Sequence, residues 1–360
     1  MKNTNVSTKS NELISILDKH FKGKVNLARV KLIALFITSL CKVQTVTFSK
    51  LANSFDSTAN SSSSLRRIQR FIASFSIDSN LIAKLIFGLL PNKEDLILSI
   101  DRTNWKFGQA NINIFMLGIV YKGVAFPLLF TMLDKRGNSN IQERIALINR
   151  FVALFGKQCI HSLVADREFV GEKWIAFLNQ ENIRYHIRIR NNFKVYVPSK
   201  NKDIKAFWLF NNLKVGQYKV YHKIVKVNNQ YCYISGSKLT NGEFLIIISY
   251  NKPEQAKQDY QQRWQIEMCF KAMKSSGFDI EKTHLTKLDR LEKLILLVMI
   301  AFVWCYIVGI YLHQIKPITI KKHGRKAITI FKYGLNHIAN VFLNTLNQGN
   351  INIMSFLSCT

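Results

Sequence analysis

Residues 96–108 read LILSIDRTNWKFG, and this stretch decides the fold. The run LILSI is apolar and has the length of a buried strand, and Asp101 follows it directly. A second run of the same kind, HSLVA at 161–165, is followed by Asp166. Each carboxylate should emerge at the end of its strand and not in the core. If the two strands are neighbours, both side chains can bind one divalent cation, because hard cations prefer oxygen ligands.

The segments around these strands alternate between strand and helix patterns. The runs LILSI, NINIFMLGIVY and VAFPLLFTML, with a turn at Gly123, predict an antiparallel meander. A helix at 141–155, the strand HSLVAD, a helix at Glu172–Asn179 and the strand RYHIRIR follow. This order predicts an α/β fold, and it resembles the mixed sheet of ribonuclease H-like proteins.

A β-rich insertion is predicted at 191–243, where short Tyr- and Val-rich runs alternate with Asn and Gly turns. The α/β core resumes at FLIIISY, and 253–274 have a strong helical pattern. We therefore expect a helical DNA-binding domain (1–90), the first part of the core (91–190), the insertion (191–243), the rest of the core (244–315) and a basic helical tail (316–360).

The charge of the chain indicates a polyanionic partner. Its 51 Lys and Arg residues against 22 Asp and Glu residues give a formal net charge of +29 at pH 7, which favours nucleic acid. In the N-terminal segment, Ser61–Ser64 offers a capping serine for a helix whose Arg66, Arg67 and Arg70 lie opposite an apolar face. Together with the preceding helical segments it suggests a helix-turn-helix-like DNA reader, although arginines on a solvated face would give the same pattern.

One stretch challenges a soluble assignment. Leu294–Leu312 carries no charge and is long enough to cross a bilayer. A helix buried by its own domain is equally apolar all round, and the rest of the chain is globular in pattern, so we expect a core helix and no membrane. The six cysteines have no disulfide or zinc spacing, and no export signal opens the chain. Both features predict reduced thiols in the cytoplasm.

The third candidate acid is Glu267. At about 100° per residue, Tyr260, Arg263, Glu267, Lys271 and Lys274 share one helix face, and Ile266, Cys269 and Met273 lie on the other. A carboxylate flanked by cations suits a metal ligand beside a DNA backbone. A surface helix with ion pairs from Glu267 to Arg263 and Lys271 explains the same spacing.

The spacing Tyr260, Arg263, Glu267, Lys274 resembles the Tyr-Arg-Glu-Lys signature of the insertion-sequence-4 family of bacterial DDE transposases. The motifs DRTNWKFG at 101–108, Arg136-Gly137-Asn138-Ser139 and ADREF at 165–169 follow the order of that family. The resemblance covers about residues 60–290. It implies that Asp101, Asp166 and Glu267 form a catalytic triad.

The resemblance also implies cofactors and partners. The triad would bind two Mg²⁺ ions, with Mn²⁺ as a substitute, and would cut and rejoin double-stranded DNA at terminal inverted repeats and target sites. Tyr260, Arg263 and Lys274 would grip the phosphates near the scissile bond, and Trp208 would stack on an extruded base. A homodimer on paired ends, at the bacterial nucleoid, is implied as well. Arg102 and Arg167 each follow one of the aspartates, so they contact phosphate, brace the carboxylates or form a structural salt bridge.

Three alternatives remain open from the sequence. The chain could be a catalytically idle DNA-binding relative, a stand-alone ribonuclease H-like nuclease that cuts without joining, or a membrane-anchored basic protein. The intact set of Asp101, Asp166 and Glu267 disfavours the idle relative, because an idle copy has no reason to keep all three acids.

Overall fold

The computed structural model describes residues 8–322, 324–344 and 351–358. These residues form two compact units. The sheet unit consists of residues 92–104 and 113–269. The helical unit consists of the described residues before 92, residues 105–112 and the described residues after 269.

Both units are built from regular elements. The helices are α1 (Thr8–Phe21), α2 (Leu27–Val43), α3 (Phe48–Asn53), α4 (Ser61–Ser74), α5 (Ser79–Gly88), α6 (Ile141–Phe155), α7 (Glu172–Gln180), α8 (Ala256–Gln261), α9 (Trp264–Lys274), α10 (Leu288–Ile315) and α11 (Ile330–Leu343). The strands are β1 (Leu96–Phe107), β2 (Ala110–Tyr121), β3 (Val124–Met132), β4 (Ile160–Ala165), β5 (Tyr185–Ile189), β6 (Lys194–Val197), β7 (Lys202–Lys205), β8 (Tyr218–Val227), β9 (Gln230–Lys238) and β10 (Phe244–Ser249).

The strands form one ten-stranded sheet in the order β3-β2-β1-β4-β5-β10-β9-β8-β6-β7. The β1–β4 and β4–β5 pairs are parallel, and the other described pairs are antiparallel. The predicted α/β fold with a mixed sheet is therefore confirmed. So is the order of the meander, since β1, β2 and β3 are neighbours in the sheet.

The prediction that Asp101 ends its strand was wrong. β1 continues to Phe107 and forms one arm of a hairpin with β2, so Asp101 lies in the middle of a long strand. The parallel pairing with β4 does stop at this point, because its last pair is Ile100 with Ala165. Asp166 follows the last residue of β4, as predicted.

The β-rich segment 191–243 continues the main sheet. β9 pairs antiparallel with β10, and β10 pairs with β5, so hydrogen bonds run without interruption from the core strands into the insertion. β10 is a continuous apolar run in which Ile246, Ile247 and Ile248 are all buried, as in a strand covered on both faces, and Ile234 of β9 is buried as well.

The single helix predicted at 253–274 is wrong, because the structure has two helices, α8 and α9, separated at Gln262 and Arg263. At the break the backbone bonds tighten to a three-residue spacing, from Arg263 N–H to the Tyr260 carbonyl and from Ile266 N–H to the Arg263 carbonyl. The predicted apolar face is confirmed, since Ile266, Cys269 and Met273 are fully buried. Tyr260 and Arg263, predicted on the polar face opposite this core face, are also buried.

The helical unit has the predicted core helix at its centre. α10 contains Leu294–Leu312, and 83% of its most apolar window is buried inside the protein. α2 and α11 pack against α10. Gly334 permits the close α11 crossing, because a Cβ at this position would clash with the Cys305 carbonyl of α10. Protein therefore covers most of the apolar surface that could have faced lipid.

The basic helix predicted near residue 65 is α4. Ile68, Phe71 and Ile72 are buried on one face, Arg66 and Arg70 are exposed, and Arg67 is partly exposed. The expected capping serine is wrong, because Asn60 is the N-cap and its side chain accepts a hydrogen bond from Ser63 N–H. Asn and Ser cap equally well, so the sequence could not separate them.

Candidate active site

The acidic site begins with two aspartates on neighbouring strands. Ile100 of β1 pairs with Ala165 of β4 in parallel register, and each of these two residues is followed directly by one of the aspartates, Asp101 or Asp166. Each carboxylate accepts a hydrogen bond from the backbone N–H of the residue after it, at 2.8 Å in both cases. The same local geometry therefore occurs twice, side by side.

Glu267 is connected to Asp101 through the guanidinium of Arg263. Arg263 Nη2 donates to Glu267 Oε1 at 2.6 Å, and Nη1 donates to Asp101 Oδ2 at 3.3 Å. The predicted i to i+4 ion pair between Arg263 and Glu267 is therefore present. Because the Arg263 side chain is only 10% exposed, one buried cation is shared by two carboxylates.

Tyr260 contacts Asp166, the one candidate acid that Arg263 does not bridge. Its hydroxyl donates to Asp166 Oδ1 at 3.3 Å, and burial raises the pKa of Tyr260 to about 12, so the hydroxyl stays a hydrogen-bond donor at neutral pH. Tyr260 and Arg263 thus link the helical segment at 256–267 to the ends of the β1–β4 pairing.

No group of three or more His, Cys, Asp or Glu side chains among the described residues is arranged to hold a metal ion. The interposed Arg263 accounts for this at the acidic site, since it lies between Asp101 and Glu267. Burial raises the pKa of Asp101 to about 7, with Glu168 and Glu267 adding to the rise, while Arg102 N–H and Arg263 oppose it. The three acids offer only carboxylate oxygens, which are the ligands that a hard divalent cation prefers.

Arg102 braces the strand ends. Its Nε and Nη2 donate to the two oxygens of Glu168 at 2.9 and 3.0 Å, and its other bonds reach the Asn113 side chain, the Gly137 carbonyl and the Asn138 side chain. Of the roles considered for Arg102, the structure shows the structural salt bridge, since its partner is Glu168 and not one of the three candidate acids. Sequence reasoning missed Glu168, although it stands two residues after Asp166 in the ADREF motif.

The RGNSN loop is held by the same network. Arg144 of α6 donates to the Ser139 side chain and carbonyl and to the Glu168 carbonyl. The loop ends in a capping box, in which Asn140 and Glu143 bond each other's backbone N–H at the start of α6. The loop is thus tied to both the β1 and the β4 ends.

Arg167 lines an open cleft of about 560 Å³ together with a second arginine, Arg190. The other lining residues are Asn138, Glu168, Val170, Asn192 and Phe193. Arg167 follows Asp166 directly, so this basic cleft begins beside one of the candidate acids.

The other predicted DNA-binding residues lie elsewhere. Trp208 is 57% exposed and stacks on Phe207 in the insertion. In the helical unit Lys271 is exposed, and Lys274 pairs with Glu281 at 2.8 Å. Trp264, which sequence reasoning did not single out, is 58% exposed directly after Arg263.

The Arg102 network should contribute to stability. Arg102→Gln removes a two-pronged bond to Glu168 and leaves that partly buried carboxylate without its cation, so we expect a loss of about 1–3 kcal/mol in the free energy of unfolding. Guanidinium denaturation measures it. The control Lys157→Gln breaks an exposed pair with Glu181 and should cost less than about 0.5 kcal/mol. Equal losses in both variants would refute the brace.

The raised pKa of Asp101 predicts a pH-dependent stability. Between the unfolded pKa near 3.8 and the folded value of about 7, the folded chain holds a proton that the unfolded chain has lost, so stability falls as pH rises through this window. Asp101→Asn removes that cost. Without divalent ions, the variant should be more stable than the native chain at pH 8, and its advantage should shrink at pH 5. A constant difference in denaturation midpoint at both pH values would contradict this.

The chain was compared with known proteins. The model of the family described as "Transposase DDE domain" matches residues 92–304, which is more than half of the chain and includes all three candidate acids. No curated protein matches. Among solved structures, the cryo-EM structure of a piggyBac transposase synaptic complex with hairpin DNA is similar over 98% of this chain and 81% of that chain, with 11% identity and a TM-score of 0.45. On the family match, the chain belongs to the DDE transposase domain family.

Proposed function

We propose that this DDE transposase is of the insertion-sequence-4 kind and that Asp101, Asp166 and Glu267 carry its chemistry. The observation that supports this most is the β1–β4 register, which makes Asp101 and Asp166 neighbours. Tyr260 donates to Asp166, and Arg263 donates to Asp101 and to Glu267. Each of the three acids is therefore in contact with the signature residue Tyr260 or the signature residue Arg263.

The three carboxylates would hold the metal. Two Mg²⁺ or Mn²⁺ ions bound there would supply an activated water and would stabilise the leaving 3′ oxygen. The side-by-side placement of Asp101 and Asp166 on neighbouring strands supports this assignment. Arg263 contacts one oxygen of Asp101 and one of Glu267 in this structure, so metal ions bound by both acids would compete with it for these oxygens.

A DNA phosphate would compete with the carboxylates of Asp101 and Glu267 for the guanidinium of Arg263. Guanidinium groups bind phosphate in the same two-pronged way as carboxylate, so a strand that enters the site can take over the Nη1 and Nη2 donors. Tyr260 would hold an adjacent phosphate, and Lys271 and Lys274 would extend the contact along the backbone. The basic cleft at Arg167 and Arg190 offers further room for the strand.

The remaining parts of the proposal concern partners. The net charge of +29 supports binding to double-stranded DNA at element ends and targets. α4 would read the end sequence through Arg66, Arg67 and Arg70, and Trp208 would stack on an exposed base. Two chains would act together on paired ends, in a bacterial cytoplasm.

Glu267→Gln tests the chemistry. The substitution keeps the shape of the side chain and removes its charge, so Mg²⁺-dependent cleavage of end DNA should fall at least 100-fold, while end binding stays within about threefold. Strand cleavage and joining to a target plasmid are measured on gels. Glu254→Gln, at an exposed glutamate, is the matched control and should cleave and join normally. Undiminished cleavage by Glu267→Gln would exclude the assignment, and cutting without joining by the native chain would favour the nuclease alternative.

Arg67→Glu tests the reader helix. Charge reversal on the basic face of α4 replaces attraction to phosphate with repulsion, so the Kd for end DNA should rise at least tenfold in a gel shift at fixed salt. Lys19→Glu changes the net charge by the same amount on α1 and should alter Kd by less than threefold. Equal increases of Kd in the two variants would mean that α4 contributes only through the net charge of the chain and does not contact the end sequence.

A further inference from the structure

Asp259 is a buried carboxylate directly before the signature residue Tyr260. It is 6% exposed, and its Oδ2 accepts a hydrogen bond of 2.8 Å from Ser162 Oγ. The same oxygen lies 3.2 Å from His161 Nε2 and 3.3 Å from His186 Nε2. One oxygen on α8 therefore contacts three side chains from β4 and β5.

The other ring nitrogen of each histidine, Nδ1, also has a partner. His161 Nδ1 lies 2.6 Å from the carboxylate of Asp95, and His186 Nδ1 forms a 2.8 Å hydrogen bond with Ser249 Oγ of β10. The His161 ring therefore lies between the carboxylates of Asp95 and Asp259, with one ring nitrogen facing each of them. We call Asp259, His161, His186 and Ser162 the clasp.

The charge state of Asp259 agrees with this arrangement. Burial alone would raise the pKa of Asp259, but the contacts with His186, Ser162 and His161 outweigh it and hold that pKa below its usual value. A buried carboxylate that stays ionised makes directional contacts in a medium of low dielectric constant, where they are stronger than at the surface.

α8 depends on such an anchor. The helix has six residues and no side-chain N-cap, so it is too short to be stable alone. Ala256 and Tyr260 pack on Leu245 and Ile247 of β10, but apolar packing alone sets no direction. The clasp supplies the directional contact to β4, the strand that leads to Asp166.

We propose that Asp259 is a positioning residue of the transposase: it fixes α8 on β4 and β5, so that Tyr260 and Arg263 face Asp101, Asp166 and Glu267. This inference rests on the proposed function of those acids. The next residue after Asp259 already contacts Asp166, and four residues after Asp259 the chain reaches Asp101. A small rotation of α8 would break both contacts.

The test begins without DNA or metal. Asp259→Asn keeps the shape and one acceptor oxygen but removes the charge that faces the two histidines. Amide hydrogen exchange should become at least tenfold faster in residues 256–263 and stay unchanged in α6. Asp203→Asn, the same substitution at an exposed aspartate of β7, should leave exchange unchanged throughout. Unchanged exchange at 256–263 in Asp259→Asn overturns the proposal.

Ser162→Ala is a second, less disruptive variant for the case that Asp259→Asn folds poorly. It removes only the 2.8 Å hydrogen bond to Asp259, and exchange in residues 256–263 should change in the same direction by a smaller factor. No change there in Ser162→Ala would count against the clasp.

The second measurement separates positioning from general stability. In single-turnover cleavage at saturating end DNA, Asp259→Asn should lower the rate at least tenfold, with Kd for DNA within threefold. Asp203→Asn should match the native rate. If Asp259 acts through Tyr260 and Arg263, adding Asp259→Asn to a variant that already carries Tyr260→Phe and Arg263→Gln should slow cleavage by less than threefold further. A further loss as large as the one that Asp259→Asn causes in the native chain overturns positioning. If the native chain fails to cleave, the proposed function fails, while hydrogen exchange still decides the clasp.

Discussion

The acidic site depends on the parallel pairing of β1 with β4. Because side chains alternate across a strand, a slip of one residue in this pairing would send Asp101 and Asp166 to opposite faces of the sheet. The register Ile100 to Ala165 is secured by fully buried apolar residues on both strands and by Arg102, which ties the β1 side to Glu168 just after β4. The acids are neighbours because apolar packing fixes the strands that carry them.

Collecting acids at a buried position costs free energy, and the fold offsets this cost locally. Arg263 sits between two of the carboxylates, and Tyr260 donates to the third. The same two side chains are the ones proposed to bind phosphate, and in this structure they contact the chain's own acids. Under the proposed function, binding of the polyanion and binding of the cation would therefore be coupled.

Some of this arrangement was readable from the sequence and some was not. Asp101 and Asp166 follow apolar runs, so their placement beside one another could be predicted from strand patterns. Glu267 needed the family signature, because its helix pattern fits an ordinary surface ion pair equally well. The break at Gln262 and Arg263 was missed, since neither Gly nor Pro marks it. Glu168 and Asp259 were missed because their partners, Arg102 and the two histidines, are more than 60 residues away in the chain.

The burial of α10 has a consequence for how the chain is made. Its apolar residues leave the ribosome after α2, which packs on one side, but before α11, which packs on another. During that interval a segment with the composition of a membrane span is only partly covered, and it is open to chaperones, to aggregation or to mistargeting. Truncation before Ile330 would remove α11 and make that transient exposure permanent, so we expect a chain shortened at this point to aggregate.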